Sequence, residues 1–76
     1  MIRLPALKAR EVSRALERAG FVVVRIKGSH HMLEHPDDAR RRTTVPMHKG
    51  KDIPRGLLSK IIADVGLTTG EFQALL

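Results

Sequence analysis

The sequence predicts a small α+β protein in the order α-β-β-β-α, followed by a short C-terminal helix. Three observations point to it. Residues 7–19 repeat apolar side chains with the period of a helix, and residues 21–46 hold short β-branched or alternating runs punctuated by Gly-Ser and prolines. A second apolar stripe at helical spacing runs from Leu57 to Val65. With 76 residues, the chain has room for one domain, residues 1–76, and one modest core. A chain of this size buries only about 60% of the surface it exposes when unfolded, so its stability margin is narrow.

Each element has a local reason. In the first helix Val12, Ala15, Leu16 and Ala19 share a face, and Arg10, Glu11, Arg14, Glu17 and Arg18 take the others. Pro5 precedes it, and Gly20 is placed to stop it just past the C-cap. Phe21 to Ile26 is β-branched and too short for a stable helix, so it reads as a strand. Lys27-Gly28-Ser29-His30 has the glycine-first pattern of a type II′ hairpin turn. The second strand runs from His30 to Glu34 or His35 and is ended by Pro36. Pro36 to Arg40 reads as a polar connection, and a third strand covers Arg41 to Val45, ended by Pro46. Residues 47–53 read as a loop. The second helix starts at about Pro54, with proline in its first turn, buries Leu57, Leu58, Ile61, Ile62 and Val65, and closes at Gly66. Thr68 and Glu71 spell a capping box that opens a last helix through Leu76.

A net charge of +6 points to a polyanionic partner, nucleic acid first and an acidic protein second. A surplus of Lys and Arg also serves simply to keep a small domain soluble. Here the cations are clustered, however: Arg25, Lys27, Arg40, Arg41, Arg42, Lys49, Lys51 and Arg55 lie in or beside the strand region. Phe21 and Phe72 are the only aromatics, which argues against base-stacking platforms and for contacts to backbone and shape. The absence of cysteine excludes disulfides and thiolate metal sites. No apolar run reaches signal-peptide length at the start or the roughly 20 residues of a membrane span, so a cytoplasmic protein without membrane contact is expected.

The densest chemistry is Gly28-Ser29-His30-His31 at the hairpin tip. With a two-residue loop, Lys27 faces His30 across the strands and Arg25 faces Met32 on the same side. The other side then carries Ile26 opposite His31 and Val24 opposite Leu33. That side is the apolar one, so it is expected to pack on the helices. His30 stands on the basic, solvated face and His31 at the rim of the core. Phe21 and Val23 share the parity of His30, which a bulge or cover by another element would explain. A one-residue slip would exchange the two histidines.

The plain alternative for His30 is an ordinary exposed hairpin histidine, and for His31 a half-buried imidazole with a hydrogen bond. His35, beside Pro36, reads as a loop residue. His48, between Met47 and Lys49, reads equally as a solvated loop histidine or a phosphate contact. On one strand His31 and His35 would share a face but lie about 13 Å apart, too far to hold one ion. Glu34, Asp37 and Asp38 form no recognisable metal spacing. No metal and no cofactor is expected.

Taken in order, these residues resemble the HicA family of bacterial toxins, also described as YcfA-like mRNA interferases. The resemblance runs through Glu17-Arg18-Ala19-Gly20-Phe21, Val24-Arg25-Ile26-Lys27-Gly28-Ser29-His30-His31 and Thr44-Val45-Pro46-Met47-His48. It continues through Ile53-Pro54-Arg55-Gly56-Leu57-Leu58, Ile61-Ile62-Ala63-Asp64-Val65-Gly66-Leu67 and Glu71-Phe72. It implies a fold like the double-stranded RNA-binding domain, with two helices on one face of a three-stranded antiparallel sheet. It also implies ribosome-independent cleavage of mRNA and neutralisation by a HicB-type antitoxin. The family's catalytic histidine carries over to His30, and its preceding glycine to Gly28, where a side chain would block the turn or the approach of RNA. The roles of Pro36 to Asp38 and of Arg40 to Arg42 stay open.

The chemistry is compatible with these residues. RNA carries its own nucleophile in the 2′-hydroxyl, so a protein need only move two protons and stabilise charge on phosphorus. An imidazole suits either proton transfer. On this reading His30 is the general base or acid of a metal-independent endoribonuclease, the toxin of a type II toxin–antitoxin system. Lys27, Arg25 and Lys49 are candidates to stabilise the transition state, and Ser29 and His48 to assist. The opposing proton-transfer group is not named by the sequence. Two alternatives stand beside this: a non-catalytic RNA-binding module of the same fold, and a protein-interaction domain whose basic face meets only an acidic partner. The free chain is expected to be monomeric.

Overall fold

The computed structural model describes residues 3–76. Its elements are α1 (Ala9–Arg18), β1 (Val22–Lys27), β2 (His30–His35), β3 (Asp38–Pro46), α2 (Arg55–Asp64) and α3 (Thr69–Gln73). The strands form one antiparallel sheet in the order β1-β2-β3. This is the α+β arrangement of the double-stranded-RNA-binding-domain type that the sequence predicts.

Local chemistry sets the boundaries. Glu11 accepts the Lys8 N–H at 2.9 Å, which satisfies one of the donors left open at the start of α1. Gly20, with φ +96, turns the chain out of α1, and the Gly20 and Phe21 N–H groups bond back to Glu17 and Leu16. The Thr68–Glu71 capping box is formed in both directions, at 2.8 and 3.1 Å. The second helix begins one residue later than expected, because Pro54 is its N-cap with an extended ψ of 143°.

The core lies between the helices and the middle of the sheet. Val12, Leu16, Phe21, Leu33, Val45, Ile61, Val65 and Phe72 are all essentially inaccessible. Leu33 and Val45 come from the face of β2 and β3 that also carries Thr43, and α2 reaches that face through a bond from the Thr43 hydroxyl to Asp64 at 3.0 Å.

Three expectations need correction. The Pro36–Arg40 connection is only a two-residue turn: His35 pairs with Asp38, and β3 extends over nine residues. Asp38 secures this start by accepting from the Arg40 N–H and from its guanidinium, both at 3.1 Å. Second, Val23 rather than Val24 faces Leu33. Val24 is the extra residue of a β-bulge between Val23 and Arg25, which resolves the conflicting parity of Phe21 and Val23. Third, Val24 and Ile26 do not pack on the helices; they are 51% and 60% exposed. Both α1 and α2 lie against β3, so their cover stops short of β1. No helix among the described residues is long and apolar enough to cross a membrane.

Candidate active site

The hairpin tip is built as the sequence predicts. Gly28 has φ +58 while Ser29 stays at negative φ, the sign pattern of a type II′ turn. Lys27 therefore pairs with His30, Ile26 with His31, and Arg25 with Met32. His30 is exposed and His31 is half-buried at the rim of the core.

On its other side His30 pairs with Pro46, the last residue of β3. This register brings in the loop that follows. The Met47 N–H donates to the Ser29 carbonyl at 2.7 Å, tying the loop to the hairpin turn. His48 then opens a tight turn closed by the Lys51 N–H on its carbonyl at 3.2 Å, with Gly50 at φ +81. The far end is anchored as well, by the Ile53 N–H on the Leu7 carbonyl at 2.8 Å and by a Lys8–Asp52 ion pair at 2.7 Å. Residues 47–53 are thus a braced loop. They hold the His48 ring edge-on to the His30 ring, with centroids 6.5 Å apart.

A depression opens on each side of this pair. The larger, about 760 Å³, runs from His30 between the sheet and α2. It is lined by Met32, Glu34, Arg42, Thr44 and Pro46 on one wall and by Leu57, Lys60 and Asp64 on the other. The Lys60 ammonium, at 2.9 Å, and then the Thr43 hydroxyl hold the Asp64 carboxyl below the usual carboxylate range, against the opposing effect of burial. The second depression, about 540 Å³, lies between the start of α1 and the His48 loop and is lined by Lys8, Arg10, Arg14, His48 and Lys49.

The sequence-derived residues thus separate into groups. Gly28, Ser29, His30, Lys27, His48 and Lys49 come together at the hairpin tip, and Arg25 lies further along the same face of β1. Arg42 and Lys60, in the groove that starts at His30, and Arg10 and Arg14, in the one that contains His48, were not named as site residues, and Arg42 figured only among the clustered cations. On α1 these cations read as the ordinary polar face of an amphipathic helix, and only the tertiary fold places them at the site.

Arg41, whose role the sequence left open, and His35, which it read as a loop residue, are structural. Arg41 donates from Nε to the Val65 carbonyl at 2.8 Å, where α2 ends, and its guanidinium lies 5.2 Å from the centre of the Phe21 ring. His35 meets the same ring edge-on at 5.1 Å, and its Nδ1 accepts the Asp37 N–H. Its role is to brace the β2–β3 turn. Among the described residues no group of three or more His, Cys, Asp or Glu could hold a metal ion.

Fold and site together define a small basic α+β protein with two facing imidazoles exposed on a cationic rim. The family model of the HicA toxin of bacterial toxin–antitoxin systems matches residues 9–67, which span α1 to the end of α2 and every residue of the hairpin site. The chain belongs to the HicA toxin family. No curated protein matches it.

Proposed function

We propose that this toxin is an endoribonuclease that cleaves mRNA in the cytoplasm through a metal-independent reaction at the 2′-hydroxyl, and that a HicB-type antitoxin neutralises it. The observation that carries this reading is the facing of His30 and His48, 6.5 Å apart between ring centres, on an exposed rim.

One imidazole of the pair takes the proton of the 2′-hydroxyl as its oxygen bonds to phosphorus. The other, as imidazolium, gives a proton to the departing 5′ oxygen as the P–O5′ bond breaks. The products are a 2′,3′-cyclic phosphate and a 5′-hydroxyl, so no water or metal enters this step. His30 is the group the family resemblance favours, and His48 is the partner that the sequence left unnamed. Lys27, opposite His30, and Lys49, next to His48, are placed to stabilise charge on the phosphorane. The two depressions support a path for the RNA backbone on either side, with Arg42 and Lys60 along one and Arg10 and Arg14 along the other.

The test uses labelled mRNA in EDTA with wild type, His30→Ala and His48→Ala. Each substitution is expected to reduce cleavage by about 10²–10⁴-fold while RNA affinity changes little. Loss of wild-type cleavage in EDTA, strong cleavage of DNA, or a fully active His30→Ala enzyme refutes the scheme. Binding without cleavage by all three proteins establishes the RNA-binding module in its place.

A further inference from the structure

Apart from Arg25 and Lys27, strand β1 is accounted for neither by the core nor by the site. All six of its residues are exposed. It supplies four of the five large apolar side chains exposed among the described residues: Val22 at 46%, Val23 at 38%, Val24 at 51% and Ile26 at 60%. Single exposed aliphatics need no explanation, but a contiguous run marks an interaction surface. The strand is also at the edge of the sheet, with the backbone groups of its outer side open to pairing.

The charges on this edge select among occupants. The strand carries Arg25 and Lys27 and no carboxylate, and of its partners on β2 only Glu34, opposite Val22 at the end far from the two cations, is an acid. A second copy of the chain would bring the same two cations and a further +6 of net charge. RNA offers nothing that four aliphatic side chains would recognise. A protein strand does, provided it alternates apolar residues with Asp or Glu opposite Arg25 and Lys27.

We infer that β1 is the docking edge for an acidic β-strand of the antitoxin, which adds to the sheet as a fourth strand. Main-chain hydrogen bonds would supply the pairing, the aliphatic run the apolar contact, and the two cations the register. This rests on membership of a toxin–antitoxin family and not on the chemistry at His30.

The test uses the purified toxin and the antitoxin encoded with it. Hydrogen exchange at the β1 amides is expected to slow when the complex forms. By calorimetry, Ile26→Glu is expected to weaken binding at least tenfold, and more than Ile26→Lys, because only the glutamate repels an acidic strand. Ile26→Thr keeps strand preference and separates a folding defect from a binding one. No complex, a complex in which β1 exchanges as in the free protein, or equal effects of Glu and Lys overturns the inference. So does a free chain that sediments as a dimer with β1 already protected. The readout is binding alone, so absence of ribonuclease activity refutes the cleavage reading and leaves this inference standing.

Discussion

Replacing Gly28 by alanine tests how the hairpin positions His30, and its cost follows from one backbone angle. A Cβ at Gly28 meets nothing within 4 Å, so crowding contributes nothing. The φ of +58 is the whole penalty. An L-residue held there costs about 1–2 kcal/mol. A chain of 76 residues has roughly 4–11 kcal/mol of stability in total, at 0.05–0.15 per residue, so the loss is a substantial fraction. It corresponds to a fall in Tm on the order of 5–15 °C. The mirror-image residue separates conformation from everything else. D-alanine favours positive φ, so Gly28→D-Ala, made by chemical ligation, is expected to match or exceed glycine, by about 0.4–1 kcal/mol. Urea unfolding of the three proteins, followed by the mRNA cleavage assay, is the measurement. Cleavage should fall with L-alanine and survive with D-alanine. Equal unfolding midpoints for the two alanine forms would falsify the strain argument. Equal loss of cleavage would show that the methyl group obstructs RNA directly.

Arg41→Met removes a charged hydrogen bond to the Val65 carbonyl and a cation over the Phe21 ring, so it should destabilise by about 1–3 kcal/mol in urea without lowering RNA affinity. Arg42→Met, two strand positions from Thr44 in the His30 groove, should do the reverse: little change in stability, weaker RNA binding, and a salt dependence shallower by about 0.7–1 in log–log slope. On acidification, Asp38, Asp64 and Glu71 lose their partners. The Arg40 guanidinium lowers the first carboxyl, Lys60 the second, and the Thr68 N–H the third. Their folded values lie below the unfolded ones, so the stability they contribute is complete above the ordinary carboxylate range and is lost as pH falls through the lowered values. Urea midpoints should therefore drop from pH 5 to pH 3, and drop less in Lys60→Met; an unchanged midpoint rejects the linkage. Leu33→Ala, at a fully buried position in the central strand, should cost about 2–5 kcal/mol and leave little folded protein at 37 °C by circular dichroism.

The parts of the fold legible in the sequence were those fixed locally. Gly20 past α1, Gly28 in the turn and the Thr68–Glu71 box each act through their own backbone, so their residue types suffice. The bulge at Val24 was visible only as a conflict of parity between Phe21 and Ile26, because a bulge obeys the needs of its neighbours. Exposure of β1 was not legible at all: a Val-Val-Val run signals burial, and only the placement of both helices against β3 leaves it bare. The His30–His48 pair was half legible. Each histidine was marked by its motif, but they lie 18 positions apart in sequence. They meet through the β2–β3 register and the Met47–Ser29 bond, both long-range.

The same division governs the cations, and it changes what the net charge means. Arg18, Arg41 and Arg55 donate to the carbonyls of Leu75, Val65 and Leu4, while Lys8, Arg40 and Lys60 have carboxylate partners. These tie chain ends, helix ends and turns together, and their charge is partly spent within the fold. Arg3, Arg10, Arg14, Arg25, Lys27, Arg42, Lys49 and Lys51 make no side-chain hydrogen bond or ion pair among the described residues. Arg10, Arg14 and Lys49 line the second depression, Lys27 pairs with His30, Lys51 follows in the His48 loop, and Arg3 lies apart beside Leu4 and Arg55, which leaves Arg25 and Arg42. Those two lie on the His30 face of the sheet, with Met32 opposite Arg25 and Glu34 opposite Arg42. A surplus kept only for solubility would be scattered over the surface. Most of the uncommitted cations instead lie around the two histidines or on the His30 face, the arrangement that the proposed passage of a polyanion past His30 and His48 would need. Composition alone suggested such a partner, but the fold separates the charges that could meet it from those that hold the protein together.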